Sequence, residues 1–314
     1  MKWGCNPDER CGVICMSNTK LRSAKFSINE LVKKAYGHSY ASQSDMRHML
    51  FRCVKDLHDL GYKIGHIKGL KAKHIYVLVE HWKSEGKNTG TIKNYMAKLR
   101  KTACLLDNPK LIKPENSAYN IGQRSYVSST NKAIHHIDLS KCTDPYIKLS
   151  LEGQILFGLR REESMKFTLS EAHHGDGLTI KPSWTKGGIG RTLNITNEAQ
   201  RQWLTKVSQQ VKTGESLIPS NRTYKQHLSH YEEQAKAMGV SKLHGLRHAY
   251  AQRRYRELTQ LFDPKNQGMV CPFEGGKKFR DMNPIEKAMD RKARQIISLE
   301  LGHSRLSITR IYCG

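Results

Sequence analysis

His244 and Arg247 stand three residues apart in the stretch His-Gly-Leu-Arg-His-Ala-Tyr-Ala-Gln-Arg-Arg-Tyr-Arg, which one early glycine and no proline interrupt. The pattern predicts a helix with both side chains on one face. A titratable imidazole beside a permanently charged guanidinium suits a phosphate: the arginine neutralises and orients its oxygens while the histidine moves a proton. His-x-x-Arg is common by chance, so the weight falls on what stands at fixed distances around it. Upstream come Gly158-Leu-Arg160-x-x-Glu163 and then Lys186 in a glycine-rich run, Pro-Ser-Trp-Thr-Lys-Gly-Gly-Ile-Gly. Downstream come Leu-Gly-His303 and, nine residues on, Tyr312. Breaking a phosphodiester needs a nucleophile, positive charge on the phosphoryl oxygens and an acid for the leaving oxygen. Tyr312 is a nucleophile whose ordinary pKa of about 10 calls for nearby positive charge. Arg160 and Arg247 are cations that grip two non-bridging oxygens without losing their protons. His303 is a hydrogen-bond partner for a phosphate oxygen, and His244 an acid/base for the tyrosine or a further phosphate ligand. Arg161 adjoins Arg160, and Lys181 is the nearby alternative to Lys186.

These residues come from distant parts of a strongly basic chain. Lys and Arg number 53 against 28 Asp and Glu, a formal charge of +25 over 314 residues. That length suits two domains, each with its own core. The charge predicts a polyanionic partner, nucleic acid first and an anionic membrane surface second. The basic residues are scattered along the whole chain and not gathered on one amphipathic helix. No run of about 18 apolar residues is present to span a bilayer, and the first ten residues lack the apolar core of a signal peptide. A soluble, cytoplasmic protein acting at the nucleoid is expected. The eight cysteines include the cluster Cys5, Cys11 and Cys15 but no C-x-x-C pair, so no metal site is expected and the thiols are read as reduced.

In chain order, residues 1–22 read as an arm. Ser27-Ile-Asn-Glu30 is a capping-box pattern opening a short helix to about Tyr36. Helical spacing recurs over about 42–60, 71–83 and 91–106, which gives a compact all-α unit over 23–125. The last of these helices carries Lys93, Lys98, Arg100 and Lys101 outward, a DNA-contacting face on one reading and an ordinary solvated face on the other. Residues 126–139 read as a linker. From 140 to 314 a buried-looking helix precedes two β-type runs, 177–181 and 191–195, that form a hairpin with Lys186 at its tip. Helices follow over about 198–211 and 223–238, then the helix of His244, an irregular stretch over 259–284, a helix over about 286–301, and helical spacing again over 304–312. The fold class is mainly α with a small β-hairpin: a helical N-terminal domain followed by an α+β domain.

The ordered set Arg160, Glu163, Lys186, His244, Arg247, His303 and Tyr312 resembles the tyrosine recombinase (phage-type integrase) family. The likeness rests on motifs over roughly 140–314 and on architecture alone over 23–125. It implies a helical core-binding domain and a catalytic domain that clamp double-stranded DNA. It assigns Lys186 the acid role at the departing 5′-oxygen and Glu163 the role of orienting the arginines. The implied product is a 3′-phosphotyrosyl link with a free 5′-hydroxyl, formed without metal, ATP or other cofactor. The implied activity is site-specific recombination, in the integration or excision of a mobile element. The partners implied are DNA attachment sites, a homo-tetramer on synapsed DNA and accessory DNA-bending proteins, with no membrane. Two alternatives share these residues: a type IB topoisomerase-like cleaving and resealing enzyme, and a non-catalytic DNA-binding relative. Two departures stand out. Arg247 and His303 lie 56 residues apart, with the excess in 259–284, and only two residues follow Tyr312 where relatives continue into a docking tail. Either the tail is missing or another surface does its work, with an inserted loop at 259–284 and the arm at 1–22 as the candidates.

Overall fold

The computed structural model describes residues 8–35, 37, 39–124, 130–263, 265 and 267–314, with side chains from residue 19 onward except that of Ala35. The chain divides into two compact units, Met1–Ser125 and Tyr126–Gly314. The first contains α1 (Asp8–Ala35), α2 (Tyr40–Asp59), α3 (Ala72–Ser84) and α4 (Thr89–Leu105). Apolar residues at helical spacing, among them Ile28, Leu50, Leu57, Leu78, Trp82 and Leu99, meet in its core. Inside that core the Trp82 indole N–H donates to Asp56 at 2.9 Å. Asn88 caps α4 by accepting the Thr91 amide at 2.8 Å.

The structure corrects the reading of the N-terminus. Ser27 opens no helix: α1 runs through it from Asp8, so much of the expected arm 1–22 is helical. The buried Ser27 hydroxyl donates back to the Ala24 carbonyl at 2.8 Å and accepts the Ile67 amide at 2.9 Å. A mid-helix serine satisfied in this way has no need of a cap. Residues 1–7, including Cys5, and the side chains of Cys11 and Cys15 lie outside the described residues.

The second unit contains α5 (Pro145–Phe157), α6 (Arg161–Met165), α7 (Leu169–Ala172), α8 (Glu198–Gln210), α9 (Tyr224–Ala237), α10 (Gly245–Phe262), α11 (Pro284–Glu300) and α12 (Arg310–Cys313). Its antiparallel sheet has the order β1 (His173–His174), β2 (Gly177–Ile180), β3 (Arg191–Asn194). Leu178 faces Leu193 and Ile180 faces Arg191 across β2 and β3. The apolar face of that hairpin packs with Phe167, Trp184 and Trp203. α10, α11 and α12 share a further core built on Tyr255, Ile297, Leu301 and Cys313.

Two expectations about connections change here. Residues 126–129 of the expected linker lie outside the described residues, but its remainder is docked on the second unit. The Ile134 amide donates to the Gly245 carbonyl at 3.0 Å, and the Gln252 amide donates to the Asn131 side chain at 2.8 Å. Backbone groups held in this way are not free to act as a tether. The stretch 259–284 is no protruding loop either. α10 continues to Phe262, the Met269 amide donates to the Thr259 hydroxyl at 2.8 Å, and Cys271 and Met282 are buried. Among the described residues no helix is long and apolar enough to cross a membrane.

Candidate active site

The site is assembled at the C-terminal end of α11. An α-helix leaves its last carbonyls without intrahelical donors and carries partial negative charge there. α11 ends in a glycine turn: the Gly302 amide donates to the Leu299 carbonyl and the His303 amide to the Ser298 carbonyl, both at 2.8 Å, with Gly302 at φ +62°. This is the closing geometry a glycine permits. It leaves the Glu300 and Leu301 carbonyls exposed to donors, and three arginines take them. Arg191 Nε donates to Glu300 O at 2.6 Å, Arg160 Nη2 to Leu301 O at 3.1 Å, and Arg247 Nη2 also to Leu301 O.

Arg247 reaches this point from the first turn of α10, with its guanidinium fully buried. Its Nη1 donates to the carbonyl of Gly158, which ends α5 at φ +61° against the ring of Tyr250. Its Nε has no protein partner. Burial pushes its pKa down to about 10, against an attraction from the Tyr312 oxygen; at neutral pH it stays a cation.

Glu163 organises the other two arginines. It is the third residue of the helix that follows Arg160, where a carboxylate can cap the preceding amide. Glu163 Oε2 accepts the Arg160 amide at 2.8 Å while Oε1 accepts Arg160 Nη1 at 2.6 Å. Arg191 grips both oxygens, Nη1 to Oε1 at 3.0 Å and Nη2 to Oε2 at 2.7 Å. The carboxylate is fully buried. Burial alone would raise its pKa, but the Arg191 hydrogen bonds, the charges of Arg191 and Arg247 and the Arg160 amide hold it down at about 2. Arg160, Arg191 and Arg247 thus surround one carboxylate, leaving an excess of two positive charges.

Tyr312, nearly buried on α12, is delivered to this cluster by the same chain. Its carbonyl accepts the Gln252 side-chain amide at 2.8 Å. Its hydroxyl is 3.2 Å from His303 Nε2, and its ring packs against His248 with centroids 4.5 Å apart. Burial, aided by Arg247, Arg160 and Arg191, pushes the His303 pKa down to about 4. His248 is likewise lowered to about 4, by burial, then His244 and Lys132. His244 keeps part of its ring in solvent, yet its pKa is also lowered, by desolvation of the rest and by Arg247 and Arg160. At neutral pH such histidines are neutral and able to accept a proton. The sequence pointed to His244 as the acid/base for the tyrosine or a further phosphate ligand. Its ring centre lies 6.1 Å from that of Tyr312, and the imidazole within hydrogen-bond distance of the phenol is that of His303.

The structure therefore brings Arg160, Glu163, His244, Arg247, His303 and Tyr312 together. Lys186 is not among them: it sits on the exposed tip between β2 and β3 and makes no hydrogen bond or ion pair with the cluster. Its alternative, Lys181, pairs with Glu171 at 2.9 Å beside Trp184. On α4, Lys98 pairs with Asp45 at 2.6 Å. Arg100 donates to Lys113 O at 3.0 Å and to Asn116 at 2.9 Å, and Lys93 approaches Gln123 at 3.4 Å. Lys98 and Arg100 thus brace their own unit, while Lys101 faces solvent. Sequence reasoning missed Arg191, His248 and Gln252. Gln252 and His248 were findable as the i+8 and i+4 neighbours of His244 on one helix; nothing in the pattern around Arg191 marked it. Among the described residues no group of three or more His, Cys, Asp or Glu is placed to hold a metal ion.

Comparison with known proteins bears on the family and the fold. A phage integrase N-terminal family model matches residues 24–105, and an integrase family model matches residues 120–253. No curated protein matches the sequence. Among solved structures, a lambda integrase dimer bound to a core site aligns with TM-score 0.52 at 14% identity, over 91% of this chain and 92% of that one. XerH site-specific recombinase bound to a palindromic difH substrate aligns with TM-score 0.51 at 16% identity, over 98% and 86%. The Tn1549 transposon integrase with circular intermediate DNA aligns with TM-score 0.50 at 16% identity, over 92% and 95%. At these identities the structural likeness is one of fold. With the two family models following one another along the chain, the protein belongs to the tyrosine recombinase (phage-type integrase) family, the site-specific DNA recombinases.

Proposed function

We propose that the protein cuts and rejoins DNA through a 3′-phosphotyrosyl intermediate formed on Tyr312, in the integration or excision of a mobile element. The observation that carries this reading is the hydrogen bond of 3.2 Å shared by the Tyr312 hydroxyl and His303 Nε2, beside three arginines. The phenol oxygen attacks the scissile phosphorus and its proton passes to His303 Nε2. Arg160 and Arg247 exchange the Leu301 carbonyl for non-bridging phosphoryl oxygens, with the unpaired Arg247 Nε as a further donor. Their fixed charge stabilises the transition state with no reorganisation at the moment of reaction. The bond to the 5′-oxygen breaks as Lys186, carried in on its hairpin, protonates it. Each cut exchanges one phosphoester bond for another, so a second 5′-hydroxyl can displace the tyrosine by the reverse step and seal the strand. The site lies within one chain, and the lambda integrase tetramer on a Holliday junction is the precedent for several copies acting on paired DNA sites. Accessory DNA-bending proteins and a cytoplasmic setting belong to the same reading.

The test is a DNA duplex nicked beside the scissile phosphate, so that the cut fragment escapes and the covalent adduct accumulates. Wild type should become trapped, and Tyr312→Phe should bind the same DNA without forming an adduct. An adduct persisting in Tyr312→Phe overturns the assignment. Purified protein that relaxes supercoils but exchanges no strands between two cognate sites is a topoisomerase-like enzyme instead.

A further inference from the structure

Arg191 has no part in the chemistry above, yet it is the most completely engaged of the three arginines. Its side chain is 6% exposed and donates three hydrogen bonds, two to Glu163 and one to the Glu300 carbonyl. A guanidinium can hold a carboxylate as a two-pronged fork, which a lysine ammonium cannot. Its position along the chain matters as much as its contacts. Arg191 begins β3 and pairs with Ile180, so it closes the last rung before the tip that carries Lys186. The other foot of the tip is tied down by the Lys181–Glu171 pair and by buried Trp184. Between these anchors the tip turns through Gly187 and Gly188, at φ +101° and +69°.

We propose that Arg191 is a positioning residue that couples the leaving-group acid to the phosphate clamp. It fastens the foot of the Lys186 hairpin to the carboxylate that orients Arg160, and to the helix end that Arg160 and Arg247 share. The hairpin can sweep its tip into DNA, but the base of its swing is set by the phosphate-binding arginines. Placing the lysine ammonium at the departing oxygen then depends on Arg191, although Arg191 touches neither. This inference rests on Lys186 being the acid, and the experiment separates the two.

The nicked DNA is prepared in two forms, with oxygen or with sulfur as the bridging 5′-atom at the scissile phosphate. Sulfur departs as a thiolate and needs no proton, so it bypasses an acid but not a phosphate clamp. General acid catalysis is worth about 10²–10⁴-fold. Lys186→Ala and Arg191→Met should both form adduct about 10²-fold or more slowly than wild type on oxygen-bridged DNA, and recover to within about 10-fold on sulfur-bridged DNA. Arg160→Ala should be slow on both. Arg191→Lys keeps the charge against Glu163 but loses the fork; it guards against unfolding, and should melt near wild type while showing the same selective recovery. Recovery of Lys186→Ala without recovery of either Arg191 variant overturns the positioning role alone. Recovery of none overturns that role and the acid assignment together. Full activity of Arg191→Lys and Arg191→Met on oxygen-bridged DNA also overturns it.

Discussion

Glu163→Gln removes one negative charge from a fully buried position faced by three guanidinium groups, at almost constant volume. In the folded protein the carboxyl is held at about 2, against an ordinary 4.5. A carboxylate with a depressed folded pKa stabilises the fold above its unfolded pKa, and that contribution is lost as pH falls from 4.5 toward 2. At about 1.4 kcal/mol per pKa unit, the gap between those values amounts to about 3 kcal/mol at neutral pH. The same linkage leaves about 1 kcal/mol of it at pH 3. The loss at pH 7 agrees with the roughly 3–5 kcal/mol typical of breaking a buried ion pair from one side. Glutamine does not titrate, so the variant should be less stable than wild type by about 3 kcal/mol at pH 7 and by about 1 kcal/mol at pH 3. Urea unfolding of both proteins across that range reads the difference directly. The histidine titrations occur in both proteins and largely cancel. Two pH profiles running parallel, separated by a constant gap, would refute the reasoning: the carboxylate would then contribute through packing and not through its charge.

Two further outcomes follow from the same geometry. Burial and the adjacent arginines hold His303 near 4; a DNA phosphate among those arginines offsets their charge, so the pKa should rise on binding and DNA affinity should strengthen as pH falls from 7 to 5. Ring-proton NMR of His303 in free and bound protein checks this, and an unmoved midpoint counts against it. Gly158→Ala places a Cβ 2.5 Å from the Tyr250 ring at φ +61°, which should cost about 2–5 kcal/mol from backbone strain and overpacking and slow adduct formation by displacing the carbonyl that Arg247 holds. A wild-type melting temperature would contradict that account.

Much of this site was legible because its side chains obey local rules. His244 and Arg247 share a helix face, Glu163 sits where a helix start needs a carboxylate, and Gly302 marks where α11 stops. The hairpin was legible from its alternation and its glycines. Four features were not. Arg191 looks like any strand-end cation, because its importance comes from a partner 28 residues away. His303 and His244 could not be ranked at the phenol, since a hydrogen bond of 3.2 Å against a ring separation of 6.1 Å is decided by tertiary packing. The start of α1 was hidden behind Ser27, whose capping pattern is equally compatible with a buried back-bond. On α4, spacing alone marked Lys98 and Arg100 as outward; it did not show that Asp45 and Asn116 had claimed them.

The shared grip on Leu301 has a consequence for how this protein can be dissected. The acceptor is a main-chain oxygen, so no change of side chain at that position deletes it, and an alanine there reports the loss of Leu301 from the core and not the loss of this contact. An ester in place of the peptide link between Leu301 and Gly302 would weaken that oxygen while leaving every side chain intact. The demand on amino-acid identity is displaced by one residue, to Gly302, whose turn keeps the peptide bare for the arginines. A vital contact here is thus encoded by a residue that takes no part in it.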